Sequence, residues 1–218
     1  MSIQTSLCPN RCIKTPYGIV DVGSPVLRRR AVEVDPAELD LPIFRGLVAE
    51  LVRRLAVGVG VAAPQVGFGV RVIVVEDGPE KWERAKPPPA ETQLRERERA
   101  ALPRMVLVNP VLTPLGEERT DFLEGCLSVG DLAAVVTRYR SVHLRALGLD
   151  GKVVEGDYHG WSARILQHEV DHLDGVLFVD RMDPRTLARH AALAELWPGA
   201  SVAELREGLN TPGMGRPI

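Results

Sequence analysis

His168-Glu169-Val170-Asp171-His172 sets two imidazoles four residues apart with a carboxylate between them. On a helix this spacing brings both rings to one side, one turn apart, where they can bind a single metal ion. At about 100° per residue, Glu169 lies to the flank of the pair. From there its carboxylate can reach a metal-activated water without being a ligand, as a general base must. Two inward histidines without an ion would each need a separate partner in apolar surroundings.

A catalytic metal also needs a third protein ligand and one open position. Cys126, within Glu124-Gly125-Cys126-Leu127-Ser128, is the candidate, and Gly125 permits close backbone approach there. Taken alone, a single Cys is more often a small buried apolar residue. Cys8 and Cys12 read as bystanders in an N-terminal extension, residues 1–14. His143 follows a strand alternation, His159 precedes the metal helix and His190 belongs to a terminal helix, so none of these is a ligand candidate. Glu124 and Gln167, adjacent to ligands, are candidates for orienting them.

Gly58-Val59-Gly60-Val61-Ala62-Ala63-Pro64-Gln65 lacks the ending of a phosphate loop and the preceding strand of a dinucleotide site. Its small residues followed by one amide allow a backbone that approaches a ligand, with Gln65 donating to a developing oxyanion. A plain tight turn into the next strand is the other reading. If the first holds, Gly58-Val59-Gly60 can pair with an extended peptide as an added strand.

The elements that must position these residues follow from periodicity. Residues 160–174 form the clearest helix, closed by Gly175, with Trp161, Ile165, His168 and His172 on one stripe. Gln167 and Asp174 point away from that stripe, and Arg164 and Asp171 lie on its flank. The stripe makes Val59, Trp161 and Ile165 candidates for an apolar substrate pocket. Ile43, Leu47, Leu51 and Leu55 mark a helix over 41–56, and 70–75 reads as a buried strand. Short strands are expected near 105–108, 134–137, 142–146 and 152–154, with no helices between them. The expectation is an α+β fold, antiparallel or mixed sheets packed around the central metal-binding helix. Residues 78–104, with three consecutive prolines at 87–89, read as a surface insertion that ends in a short exposed helix. Residues 184–196 read as a terminal helix and 198–218 as a loose tail.

With 27 Lys and Arg against 29 Asp and Glu, the net charge of −2 offers no field for a nucleic-acid backbone. No apolar run approaches the roughly 20 residues of a membrane span. Three cysteines are too few for a disulfide framework, which fits a reducing compartment, so the cytoplasm is expected. Residues 1–14 carry Arg11 and Lys14 without an acidic residue, a thin basis for an organelle-import segment.

Taken in order, Gly-x-Gly-x-Ala-Ala-x-Gln, Glu-Gly-Cys-Leu-Ser and Gln-His-Glu-x-x-His-Leu resemble the peptide deformylase family over residues 20–183, with 15–183 as the catalytic domain. The resemblance implies a hydrolase that removes the N-formyl group from the initiator methionine of new proteins, co-translationally near the ribosome exit, and releases formate. It also implies one divalent ion per chain, Fe(II) in the cell with Zn, Ni or Co able to replace it, and the backbone N–H of Leu127 as an oxyanion donor beside Gln65. Formyl carries only hydrogen on its carbonyl carbon, so a narrow site would exclude bulkier acyl groups.

Many bacterial family members follow the Cys string with Val/Ile-Pro and then an Arg. Here Val129-Gly130-Asp131-Leu132-Ala133 follows, with no Arg before Arg138, and this segment and Gly160–Arg164 look closer to the organellar-type branch. A zinc metalloprotease shares the His-Glu-x-x-His pattern, but the residues after His172 lack the extended His-bearing motif of that class. A catalytically weak relative that binds N-terminal peptides, or a metal-free scaffold whose Cys126 and histidines are structural, is the second alternative. An intact ligand set and Glu169 weigh against it.

Overall fold

A computed structural model of the chain describes residues 18–85 and 91–210. Cys8, Cys12 and the expected 1–14 extension lie outside these. Among the described residues, the chain runs through α1 (Pro42–Arg54), β1 (Gly60–Ala62), β2 (Val72–Asp77), α2 (Pro79–Arg84), α3 (Glu91–Glu96), β3 (Leu102–Pro114), β4 (Arg119–Gly125), β5 (Leu132–Tyr139), β6 (Ser141–Leu147), β7 (Val153–His159), α4 (Gly160–Leu173), β8 (Ala188–Arg189), α5 (His190–Leu196) and α6 (Val202–Asn210). The strands form a five-stranded sheet, ordered β1-β2-β3-β6-β7, and a three-stranded sheet, ordered β4-β5-β8. All pairs of named strands are antiparallel. The α+β expectation holds.

The strand β2 shows why a continuous apolar run lies inside. Successive side chains point to opposite faces. Val72 and Val74 pack with Phe44, Leu47 and Leu51 of α1, whereas Ile73 and Val75 pack with Ala163, Ile165 and Leu166 of α4. Both faces are covered, so every position of the strand can be apolar. Helix α4 therefore lies between the sheets, against β1, β2, β3 and β7 on one side and β5 on the other.

Glycines in left-handed backbone bound α4. Gly160 has φ +55° and Gly175 has φ +75°, conformations that a side chain would strain. The last residue of α4 is tied to the N-terminal segment, where the Ala31 N–H donates to Leu173 O at 2.7 Å.

Three expectations require correction. Among the described residues up to 210, the terminal region is not one helix and a loose tail: it forms β8, α5 and α6, with Leu193 and Leu205 buried against Ala133 and Val135 of β5. The 78–104 segment carries two short helices, α2 and α3, and its last residues already belong to β3, where Leu102 is buried. Arg164 and Asp171, read as a polar flank of α4, are buried at 2% and 8% exposure because ionic partners on β4 and β5 meet them there. Strand β4, absent from the sequence expectation, carries one of those partners. No helix among the described residues is long and apolar enough to cross a membrane.

Candidate metal centre and active site

Cys126 leaves the end of β4 in extended conformation and precedes a 3₁₀ turn at Leu127–Val129. Its Sγ lies 3.3 Å from His172 Nε2. One donor atom from each of Cys126, His168 and His172 falls within 4.8 Å of the others. The two imidazoles come from successive turns of α4, with ring centroids 5.1 Å apart. A thiolate and two imidazoles form a donor set that takes a divalent transition metal. Such an ion fits the polar balance as well, because two histidines and a thiol are otherwise crowded into one buried spot with few acceptors to share.

The Glu124 carboxylate, also on β4, accepts from His168 Nδ1 at 3.0 Å. A carboxylate can only accept, so Nδ1 carries the proton and the lone pair of Nε2 is left for a ligand. Burial alone would raise the Glu124 carboxyl. The His168 hydrogen bond and the Arg138 guanidinium outweigh it and hold the group well below the usual carboxylate range. Arg138 reaches Glu124 through Nε at 2.6 Å and Nη2 at 2.9 Å, and Asp171 through Nη1 at 2.8 Å. Arg164 also pairs with Glu124, and Arg181 clasps Asp171 at 2.7 and 2.8 Å. One ionic network thus joins β4, β5 and α4 directly behind the histidines.

Glu169 is 4% exposed, and its Oε2 has no hydrogen-bond partner among the described residues. Burial pushes its carboxyl up to about 7 in the metal-free chain, against the opposing pull of His168 and Arg138. Gly60 of β1 forms the wall beside it. A Cβ at Gly60 would lie 2.3 Å from Glu169 Oε1.

Gln65 is 2% exposed and fixed in orientation. Its Oε1 accepts from Ala62 N at 2.9 Å, which turns Nε2 toward Cys126 Sγ at 3.5 Å and Ser128 Oγ at 3.3 Å. Leu127 opens the 3₁₀ turn, and the first N–H groups of such a turn have no partner within it. Gly58, Val59 and Gly60 lie on or just before β1, an edge strand whose one sheet partner among the described residues is β2.

Trp161 and Ile165 share one core cluster with Val59. The Gln167 side chain hydrogen-bonds elsewhere than the histidines: its Nε2 donates to Tyr139 O at 2.8 Å and its Oε1 accepts from Tyr139 N at 3.1 Å, fastening α4 to β5. Among the other histidines, His143 bonds Asp157 and Glu155, His159 bonds Ser141, and His190 lies against Gly125.

The sequence reading did not select Arg138, Arg164 and Asp171. A signal for Arg138 was present: strand alternation puts it on the same face as Ala134 and Val136, which are buried with Cys126.

The sequence pattern of the polypeptide deformylase family matches residues 16–188. Peptide deformylase 1 of Streptomyces coelicolor is 45% identical over 203 residues, which cover 91% of this chain and 88% of that protein. The chloroplastic/mitochondrial peptide deformylase 1A of Arabidopsis thaliana is 46% identical over 170 residues, 77% of this chain and 62% of its own length. The Met-Ala-Ser-bound crystal structure of a class I type b peptide deformylase from Acinetobacter baumannii is 32% identical, covers 79% of this chain and 100% of its own, and superposes with a TM-score of 0.64. The chain belongs to the polypeptide deformylase family, hydrolases that remove the N-formyl group from nascent chains.

Proposed function

We propose that this chain hydrolyses the formyl–amine bond of N-formylmethionyl nascent peptides, with its chemistry at Cys126, His168, His172 and Glu169. The observation that carries the reading is the close approach of a thiol and two imidazoles beside one buried, unpartnered carboxylate. Cys126, His168 and His172 would hold one divalent ion, which when bound acidifies a water and polarises the formyl carbonyl. Fe(II) is the proposed ion in the cell, and Zn, Ni or Co suit the same thiolate and imidazole donors.

Glu169 takes the proton from the attacking water and delivers it to the leaving amine, so that the C–N bond breaks to give formate and a free N-terminus. Gln65 Nε2 and the Leu127 N–H donate to the carbonyl oxygen as negative charge builds on it. The fixed Oε1–Ala62 bond supports this role for Gln65, because it leaves the amide donor facing Cys126. Glu124 orients His168. The peptide pairs with the free edge at Gly58, Val59 and Gly60, and its first side chain enters beside Val59, Trp161 and Ile165. Residues 15–183 form the catalytic unit, which acts in the cytoplasm near the ribosome exit.

The Met-Ala-Ser ligand of the Acinetobacter baumannii relative supplies the test substrate. Purified, metal-loaded protein should release formate from formyl-Met-Ala-Ser and leave acetyl-Met-Ala-Ser intact. No formate from the formyl peptide, or equal cleavage of both, would overturn the reading.

A further inference from the structure

We propose that Lys81 is a positioning residue for the substrate: reaching over from α2, it holds the downstream end of the strand edge on which the peptide backbone docks. The inference rests on the deformylase reading and on its assignment of the edge at Gly58, Val59 and Gly60 to the peptide.

The direction of the peptide along that edge follows from Glu169. A Cβ at Gly60 would lie 2.3 Å from Glu169 Oε1, so the bond that breaks lies beside Gly60. A peptide paired along residues 58–60 therefore leaves past Gly58. Leu127 borders that end, with its Cδ1 3.6 Å from where a Cβ on Gly58 would be. Beyond Gly58 opens a cleft of about 760 Å³ between residues 57–59 and α2, with Lys81 in its wall.

The chain that makes this edge needs outside support. Helix α1 ends at Arg54, a 3₁₀ turn at Leu55–Val57 follows, and β1 begins only at Gly60. Gly58 and Gly60 give the connection wide backbone freedom. The Gly58 N–H donates to Leu55 O at 3.2 Å, and Val59 O accepts from Glu76 N at 2.9 Å. Lys81 adds two stronger ties, its Nζ donating to Leu55 O at 2.9 Å and to Gly58 O at 2.6 Å. The Glu76 carboxylate, on the strand paired with this edge, lies 3.4 Å from the same ammonium. One side chain of the 78–104 segment thus joins the end of α1, the peptide-binding edge and β2.

An edge that is already ordered costs less to pair with, because the backbone entropy is not taken from the binding energy. The benefit grows with the length of peptide that lies along the edge. Lys81 should therefore matter little to a single formylated residue and more to a tripeptide.

The test uses metal-loaded wild type, Lys81→Met and Lys81→Arg with formyl-methioninamide and formyl-Met-Ala-Ser-amide, both amidated so that no terminal charge differs. In wild type, kcat/KM for formate release should be higher for the tripeptide. Lys81→Met should cut that advantage by about ten-fold, the scale of one charge-assisted hydrogen bond, chiefly through KM. Lys81→Arg should recover part of it. Lys81→Gln, polar and easier to accommodate, is read the same way should Lys81→Met fail to fold. No tripeptide advantage in wild type, or an equal loss for both substrates in the variant, would overturn the proposal. If wild type releases no formate from either substrate, the deformylase reading fails, and calorimetric binding of unformylated Met-Ala-Ser-amide decides for Lys81. Binding about ten-fold weaker in Lys81→Met would support its role, and equal binding, or none by wild type, would overturn it.

Discussion

The Glu124 carboxylate accepts from His168 Nδ1 at 3.0 Å while it is held by Arg138 at 2.6 and 2.9 Å. A residue two positions before Cys126 in the chain thus fixes the ring of a proposed ligand on another element. The same carboxylate anchors Arg164, so the candidate metal centre and the β4–β5–α4 junction share one buried charge.

Replacing that charge should affect both. In Glu124→Gln, Arg138 and Arg164 lose their shared carboxylate, which costs about 3–5 kcal/mol when a buried pair is broken. His168 also loses its strongest orienting acceptor, so metal affinity should fall by about 10- to 100-fold. Denaturant unfolding and competitive metal titration measure the two effects. Unchanged metal affinity in a folded variant would show that Glu124 does not orient the ligand.

Gly60 separates chemistry from metal binding. An added Cβ would lie 2.3 Å from Glu169 Oε1 and 2.6 Å from its Cδ, so the carboxyl must move while Cys126, His168 and His172 stay. Gly60→Ala should bind about one ion per chain, as a three-ligand site requires. Its kcat should fall by about 100-fold, the scale of a displaced acid/base group. Steady-state kinetics with metal analysis tests this, and a fall in metal content with kcat per ion unchanged would sink it.

Metal removal should expose the Glu169 carboxyl to its apolar surroundings. Burial raises this group from 4.5 to about 7, a shift worth roughly 3 kcal/mol. Folding favours the protonated form, so this contribution is complete below about pH 4.5 and is lost as pH rises through about 7. Over that window the stability of metal-free wild type should decline relative to metal-free Glu169→Gln. Parallel stability–pH curves for the two proteins would contradict the assignment.

Legibility in the sequence tracked how local the signal was. The α4 stripe and the β2 apolar run are properties of a few consecutive residues; α4 formed where periodicity placed it, and β2 formed two residues later than the expected 70–75. The buried positions of Arg164 and Asp171 were not legible, because a charge on a helix flank reads as solvated until its partners are known. Those partners, Glu124 and Arg138, lie on strands 40 and 33 residues away in the chain. Helix α6 was missed because it follows Pro198 and Gly199 and buries its Leu205 against residues distant in the chain, among them Ala133 and Val135 of β5. Gly60 looked like a substrate-facing backbone position, and nothing in the sequence placed the Glu169 side chain against it.

The most direct test of the central claim compares formate release by wild type and Glu169→Ala, both purified anaerobically with bound metal quantified. The account predicts about one ion per chain in each protein, turnover in wild type, and a loss of at least about 100-fold in the variant. Equal turnover at equal metal content would show that Glu169 is not the acid/base of this site.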